Sequence, residues 1–223
     1  MFNSKERKLE RLNSGLKDSI SAHTYNLAIG AFILYGIVMN MLIVAFCSDF
    51  FMTMDYRIFI IGYFVLCLAG IFMSTSKNPI MSFAGYNLVV VPIGAVLSVC
   101  LPAYSISHIL SAIVVTALIC AIMMCIATAF PNAFAKMGLT LFIALLTAVI
   151  VEGLAMFFGY GGGVFNWIYV VIFTLYIGYD WHKALVYPKT LDNAIDSALD
   201  IYLDIINLFL RLLEIMSKNK NRR

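Results

Sequence analysis

Long runs of apolar residues, separated by short polar connections, repeat along almost the whole chain. Turn residues and charges delimit seven of them. The runs cover residues 25–46, 58–73, 83–99, 106–130, 137–158, 164–179 and 194–216. Most are close to the roughly 20 residues that an α-helix needs to cross the hydrocarbon core of a bilayer. The pattern predicts an all-α, polytopic membrane bundle of seven transmembrane helices.

Polar residues at the two ends of the chain divide it into three predicted parts. Residues 1–22 are expected to form a polar cytosolic tail, 23–216 the transmembrane domain, and 217–223 a basic tail. No Asp, Glu, Lys or Arg occurs between Lys77 and Lys136, a stretch long enough for two membrane spans.

The composition supports a membrane protein over a soluble one. Of the 223 residues, 62% are hydrophobic and 12% charged, whereas about a quarter are charged in soluble domains. The net charge of +3 comes from basic residues at the ends, which favour contact with lipid headgroups. We therefore expect the lipid bilayer as a partner, and no nucleic acid.

Lysines in the short connections predict the orientation. Lys77, Lys136 and the pair Lys183/Lys189 fall in the second, fourth and sixth connections, on the same side as the basic N-terminal tail. By the positive-inside rule this side is cytosolic. The protein is expected in the inner or plasma membrane of a prokaryote, or in the endoplasmic reticulum or another endomembrane of a eukaryote, with this side facing the cytosol.

The seventh run fits this rule less well. If it crosses the membrane, residues 217–223 emerge opposite the other basic segments. Either the run is re-entrant, or charges early in the chain fix the orientation and the tail follows. We favour the crossing, because the first helices usually dominate.

The seventh run also carries a polar stripe, which consists of Asp196, Asp200, Asp204, Asn207, Arg211 and Glu214. At about 100° per residue these positions cover roughly 80° of a helix. Such a helix suits the centre of a bundle, with its stripe facing a wet cavity. Ionisable groups cost about 2.5–3.5 kcal/mol each at membrane depth, and they persist where they pair, titrate or line an ion path. Asp196 has an alternative role, since a solvated carboxylate is also favoured at a helix start.

Asp180, at the end of the sixth run, is the predicted partner of these aspartates. A sixth helix that descends to the cytosolic side and a seventh that rises from it bring Asp180 and the early aspartates to similar depth. Two adjacent carboxylates cannot easily both ionise, so they share a proton. Such a pair can sense pH, and its oxygens suit a hard cation such as calcium.

Glu152, near the outer end of the fifth run, has a candidate partner as well. At about 1.5 Å rise per residue, Glu152 and Arg211 lie at similar depth from the cytosolic side. The sequence predicts a structural Glu152–Arg211 ion pair; alternatively, Glu152 reaches the membrane interface.

Two segments resemble the Bax inhibitor-1 family, also called the transmembrane Bax inhibitor motif family. Residues 198–209, ALDIYLDIINLF, are similar to the signature of the family's last helix. Tyr179-Asp180 before a polar turn is similar to the end of its sixth helix. The resemblance implies seven helices with the last one central, a pH-dependent calcium leak, and an aspartate pair as pH sensor. It assigns the sensor to Asp180 and Asp204, with Asp200 as an accessory group.

The chain departs from the family at one position. Bacterial members have an arginine within the second helix that latches the sensor aspartate, and the matching residues 70–73, GIFM, contain none. Lys77 follows shortly after, closer to the expected membrane surface.

The predicted function is a passive calcium leak regulated by pH, with Asp180 and Asp204 as sensor and possible calcium ligands, and Asp200 and Asp196 along the ion path. Calcium and protons are the expected ions, and no resident cofactor is expected. The alternative is a non-conducting membrane regulator of cell death or stress that acts through protein partners. An enzyme is not expected, because the sequence contains no HExxH, GxSxG or other nucleophile–base arrangement.

Overall fold

Long helices make up almost all of the described chain. The computed structural model describes residues 19–159 and 163–220, with side chains as far as Lys218. The helices are α1 Ala22–Met52, α2 Tyr56–Ser74, α3 Pro79–Cys100, α4 Ile106–Ala129, α5 Gly138–Phe157, α6 Val164–Val186 and α7 Leu191–Lys220. A 3₁₀ turn, Leu101–Ala103, follows α3, and a single helical turn, Pro131–Phe134, precedes α5. These ranges contain no strand, which confirms the all-α prediction. Most of the predicted N-terminal tail, and the end of the basic tail, lie outside the described residues.

Six of the described helices, α1 to α6, are long and apolar enough to cross a membrane, α3 being extended by its 3₁₀ turn. Large apolar side chains cover their surfaces; Phe46, Phe72 and Phe157, for example, are 82%, 77% and 83% exposed. A bilayer accepts such surfaces and water does not. The protein is therefore a multi-pass integral membrane protein. Helix α7 is longer than most of the six but carries too many charged residues to belong with them.

Helices α1 and α6 extend furthest past the ends that the apolar runs predicted. Helix α1 continues through Asp49 to Met52, because the Ser48 hydroxyl donates to the Val44 carbonyl (2.6 Å) and is thereby satisfied inside the helix. The prediction that the sixth run closes at Asp180, before a polar turn, is wrong: α6 continues to Val186. Asp180 and Lys183 stand one turn apart in this extension, at 3.8 Å, and such spacing supports a helix.

The chain divides into two compact units. The first contains α1 and α2, α3 as far as Val99, and residues 186–199, which include the start of α7. Tyr25 is fully buried in this unit, and its hydroxyl lies 3.2 Å from Ser197 Oγ. The Lys189 ammonium lies 4.5 Å from the centre of the Tyr25 ring, a cation–π arrangement. These contacts attach the start of α7 to α1.

The second unit contains residues 100–185 and residues 200–223, hence α4, α5, most of α6 and the rest of α7. Gly178 of α6 lies against the ring of Phe134, so closely that a larger residue would require the ring to move. Nearby, Trp181 Nε1 donates to Thr128 Oγ1 at the end of α4 (2.9 Å). Both contacts fix the rotation of α6 about its axis, and Asp180 lies between them in sequence.

Candidate functional site

Two buried aspartates meet in the second unit. Asp180 of α6 is 8% exposed and Asp204 of α7 is 7% exposed. Their carboxyl groups face each other between α6 and α7. Because a carboxylate only accepts hydrogen bonds, a bond between two carboxyl groups requires that one of them holds a proton. The arrangement therefore suits a pair that shares a proton.

Asp204 has few other polar contacts. Its Oδ2 atom is buried and has no hydrogen-bond partner among the described residues. The titratable and charged groups that face it are Asp180, Tyr176 and Lys183 of α6, Cys120 of α4, and Asp200 on its own helix. An acceptor oxygen left unpaired in a buried site is costly, and it is available to a proton, a water molecule or a cation.

Lys183 provides the positive charge of this cluster. Its Nζ atom lies 2.5 Å from Asp200 Oδ2 and 3.8 Å from Asp180 Oδ1. Asp200 thus forms a close ion pair with Lys183. Asp180 lies between Lys183 and Asp204 and faces both. We call Asp180, Lys183, Asp200 and Asp204 the aspartate–lysine cluster.

Sequence reasoning missed this role of Lys183, which it used only to infer orientation. The Asp180–Lys183 spacing of three residues was the available signal, since residues three apart are neighbours on a helix. A helix that ends at Asp180, as the apolar run predicts, hides this spacing.

Asp196 belongs to the first unit, whereas the aspartate–lysine cluster belongs to the second. Its Oδ1 atom accepts a hydrogen bond from Ser74 Oγ, at 3.3 Å, and Ser74 is the last residue of α2. The end of the second helix therefore contacts the polar stripe through a neutral hydroxyl group.

Arg211 and Glu152 lie within ion-pair distance in the second unit, with 3.8 Å between Nη1 and Oε1. Arg211 has two further contacts that sequence reasoning missed. Its Nη1 donates to Asn166 Oδ1 at 3.1 Å, and its guanidinium carbon lies 4.0 Å from the centre of the Tyr169 ring. Both partners are buried residues of α6. No charge marks either of them in the sequence, so no charge pattern could have identified them.

A resident metal site would need more ligands than this pair offers. The described ranges contain no group of three or more His, Cys, Asp and Glu side chains that could hold a metal ion. Calcium takes six to eight oxygen ligands, so Asp180 and Asp204 could supply only part of a coordination shell and water the rest.

The apolar helices and the buried acidic pair define a multi-pass helical membrane protein with ionisable groups at its core. The chain belongs to the family described as "Inhibitor of apoptosis-promoting Bax1", whose family model matches residues 18–221. This match confirms the resemblance noted in the sequence.

Two relatives come from Helicobacter pylori. A protein of strain J99 is 28% identical over 159 residues, which cover 68% of this chain and 67% of that protein. A protein of strain 26695 is 30% identical over 154 residues, which cover 66% of this chain and 65% of that protein. Both are described only as uncharacterized proteins, so they contribute no activity.

Proposed function

We propose that the protein is a passive calcium leak regulated by pH, with Asp180 and Asp204 as the pH-sensing pair. The observation that carries the proposal is the contact between these two buried carboxyl groups, one of which keeps an oxygen without a partner among the described residues. Family membership supports a membrane regulator, and ionisable groups at membrane depth are typical of ion pathways.

The pair can switch because its two protonation states favour different geometries. With one shared proton, α6 and α7 are joined by a hydrogen bond between Asp180 and Asp204. When that proton is lost, two like charges face each other at short distance and repel. The same charges attract a divalent cation, so proton loss changes both the packing and the affinity of the pathway for calcium.

We also propose that α7 crosses the membrane as a seventh, central helix, with the N-terminus cytosolic. Its 30 residues span about 45 Å, more than the hydrocarbon core of roughly 30 Å. Every residue from 192 to 217 is buried or half-buried, although the helix carries many charges. Several of those charges form ion pairs with other side chains of the protein, as in Lys183–Asp200 and Lys218–Glu214. Lys77, Lys136 and Lys189 would then lie on the cytosolic side.

Calcium flux measured against pH tests the proposed leak. Purified protein is reconstituted into vesicles that contain a calcium-sensitive dye, and wild type is compared with Asp204→Asn. The variant cannot ionise at this position, so we expect most of the pH dependence of flux to disappear. Asp192→Asn, the same change in the first turn of α7, should keep the wild-type profile. The proposal fails if wild type passes no calcium at any pH, or if Asp204→Asn leaves both the flux and its pH profile unchanged.

A second candidate is a non-conducting regulator that acts through membrane protein partners. The family description, which refers to inhibition of Bax1, favours it. In that case the aspartate–lysine cluster is structural, and Asp204→Ala should lower the unfolding temperature in detergent without affecting ion flux. For either candidate we propose no enzymatic reaction, no resident cofactor and no nucleic acid partner. The leak needs only the bilayer, protons and calcium, whereas the regulator acts through membrane protein partners.

A further inference from the structure

Arg211 lies on the same face of α7 as the proposed sensor. It follows Asp204 by seven residues, which is about two helical turns and roughly 10 Å along the axis. A cation that moves along this face from Asp204 must therefore approach a guanidinium group. Cations are repelled there, whereas Asp204 attracts them.

The guanidinium group is held in place by α5 and α6. Tyr169 stacks against it, Asn166 accepts one of its hydrogen bonds, and Glu152 lies at 3.8 Å. Tyr169 and Asn166 are 1% and 3% exposed, so neither can easily move aside. A planar guanidinium group that contacts both the face of an aromatic ring and an acceptor oxygen has little freedom to turn away.

The nearest other cation on α7 is held differently. Lys218 pairs with Glu214 one turn away on the same helix (2.5 Å), and more than half of its side chain is exposed. It can reach solvent, where its charge is screened. Arg211 is thus the cation of this face that packing with α5 and α6 fixes in position.

We propose that Arg211 limits cation passage along the polar face of α7, and that Glu152 tunes this barrier by partly neutralising the guanidinium charge. This role rests on the proposed leak. Within that leak, Arg211 sets the rate of ion passage and the selectivity against divalent cations. Glu152 is at ion-pair distance but beyond ordinary hydrogen-bond length, so its neutralisation is incomplete.

The test compares calcium flux in Arg211→Gln and Glu152→Gln with that of wild type, in the same reconstituted vesicles. Removing one positive charge a few ångströms from an ion's route should raise flux by about tenfold. Glu152→Gln should lower flux, because it leaves the guanidinium charge unopposed. Arg211→Lys keeps the charge and should remain close to wild type, and Lys218→Gln is the matched control for removal of a positive charge.

The opposite signs separate this role from a structural one. A purely structural pair predicts that both neutral variants lose thermal stability in detergent and change flux in the same direction. That result overturns the inference, as does an unchanged flux in a folded Arg211→Gln variant. If wild type conducts and Arg211→Gln does not differ from it, only this inference fails. If neither protein passes calcium, the proposed leak and the barrier fail together.

Discussion

Replacing Lys183 by methionine is expected to move the pH transition of calcium flux to higher pH by about one unit. The ammonium group lies 3.8 Å from Asp180 and favours its ionised form. Without it, the pair with Asp204 keeps its shared proton to higher pH, so the transition moves upward. Two unit charges at about 4 Å interact by roughly 4 kcal/mol at an effective dielectric constant of about 20. Since a quarter of the lysine side chain is exposed, solvent screens much of this energy. We expect the remaining interaction energy to correspond to a shift of about one pH unit.

Flux against pH in reconstituted vesicles measures this shift directly. Lys136→Met is the matched control, because it removes an exposed lysine from the same unit, and its profile should match wild type. Lys183→Arg keeps the positive charge and should shift the transition by much less. A Lys183→Met profile that coincides with wild type, or that moves to lower pH, would show that the lysine does not act on the pair.

The sequence predicted the positions of the apolar helices well, because a helix that crosses a bilayer must be apolar along its length and hydropathy detects such segments. The first six apolar runs correspond to α1 to α6, and their centres agree to within about one helical turn even where the helix ends do not. Depth could be estimated too, since the helical rise is constant. That estimate put Glu152 and Arg211 at similar depth, and in the structure the two groups lie 3.8 Å apart.

Rotation of each helix about its axis was much harder to predict. A helix that is apolar on nearly all sides gives little indication of which side faces a neighbour. The Asn166 and Tyr169 contacts of Arg211, and the Ser74 contact of Asp196, depend on that rotation and come from uncharged residues. The polar stripe on α7 is the exception, because its charges reveal which face must avoid lipid.

Close contact between α2 and α3 illustrates what packing adds to the sequence pattern. Gly85 of α3 lies directly against the backbone of α2: a Cβ atom there would clash with the Ser74 amide nitrogen and lie 2.7 Å from the Gly70 carbonyl oxygen. Backbone atoms cannot turn away as a side chain can. Small residues allow membrane helices to approach this closely, and van der Waals packing then holds them together. The same contact positions Ser74, which donates to Asp196.

Gly85→Ala is therefore expected to destabilise the protein by about 3 kcal/mol or more, the upper end of the usual cost of overpacking, because α2 and α3 must separate. Thermal unfolding in detergent, followed by circular dichroism, measures the loss. Gly62→Ala is the matched control: it makes the same substitution in α2, where an added Cβ meets nothing within 4 Å. That variant should be as stable as wild type or slightly more, since alanine favours a helix over glycine by up to about 1 kcal/mol. Equal stability of the two variants would mean that the helices can separate at little cost, and that Gly85 does not determine how closely α2 and α3 pack.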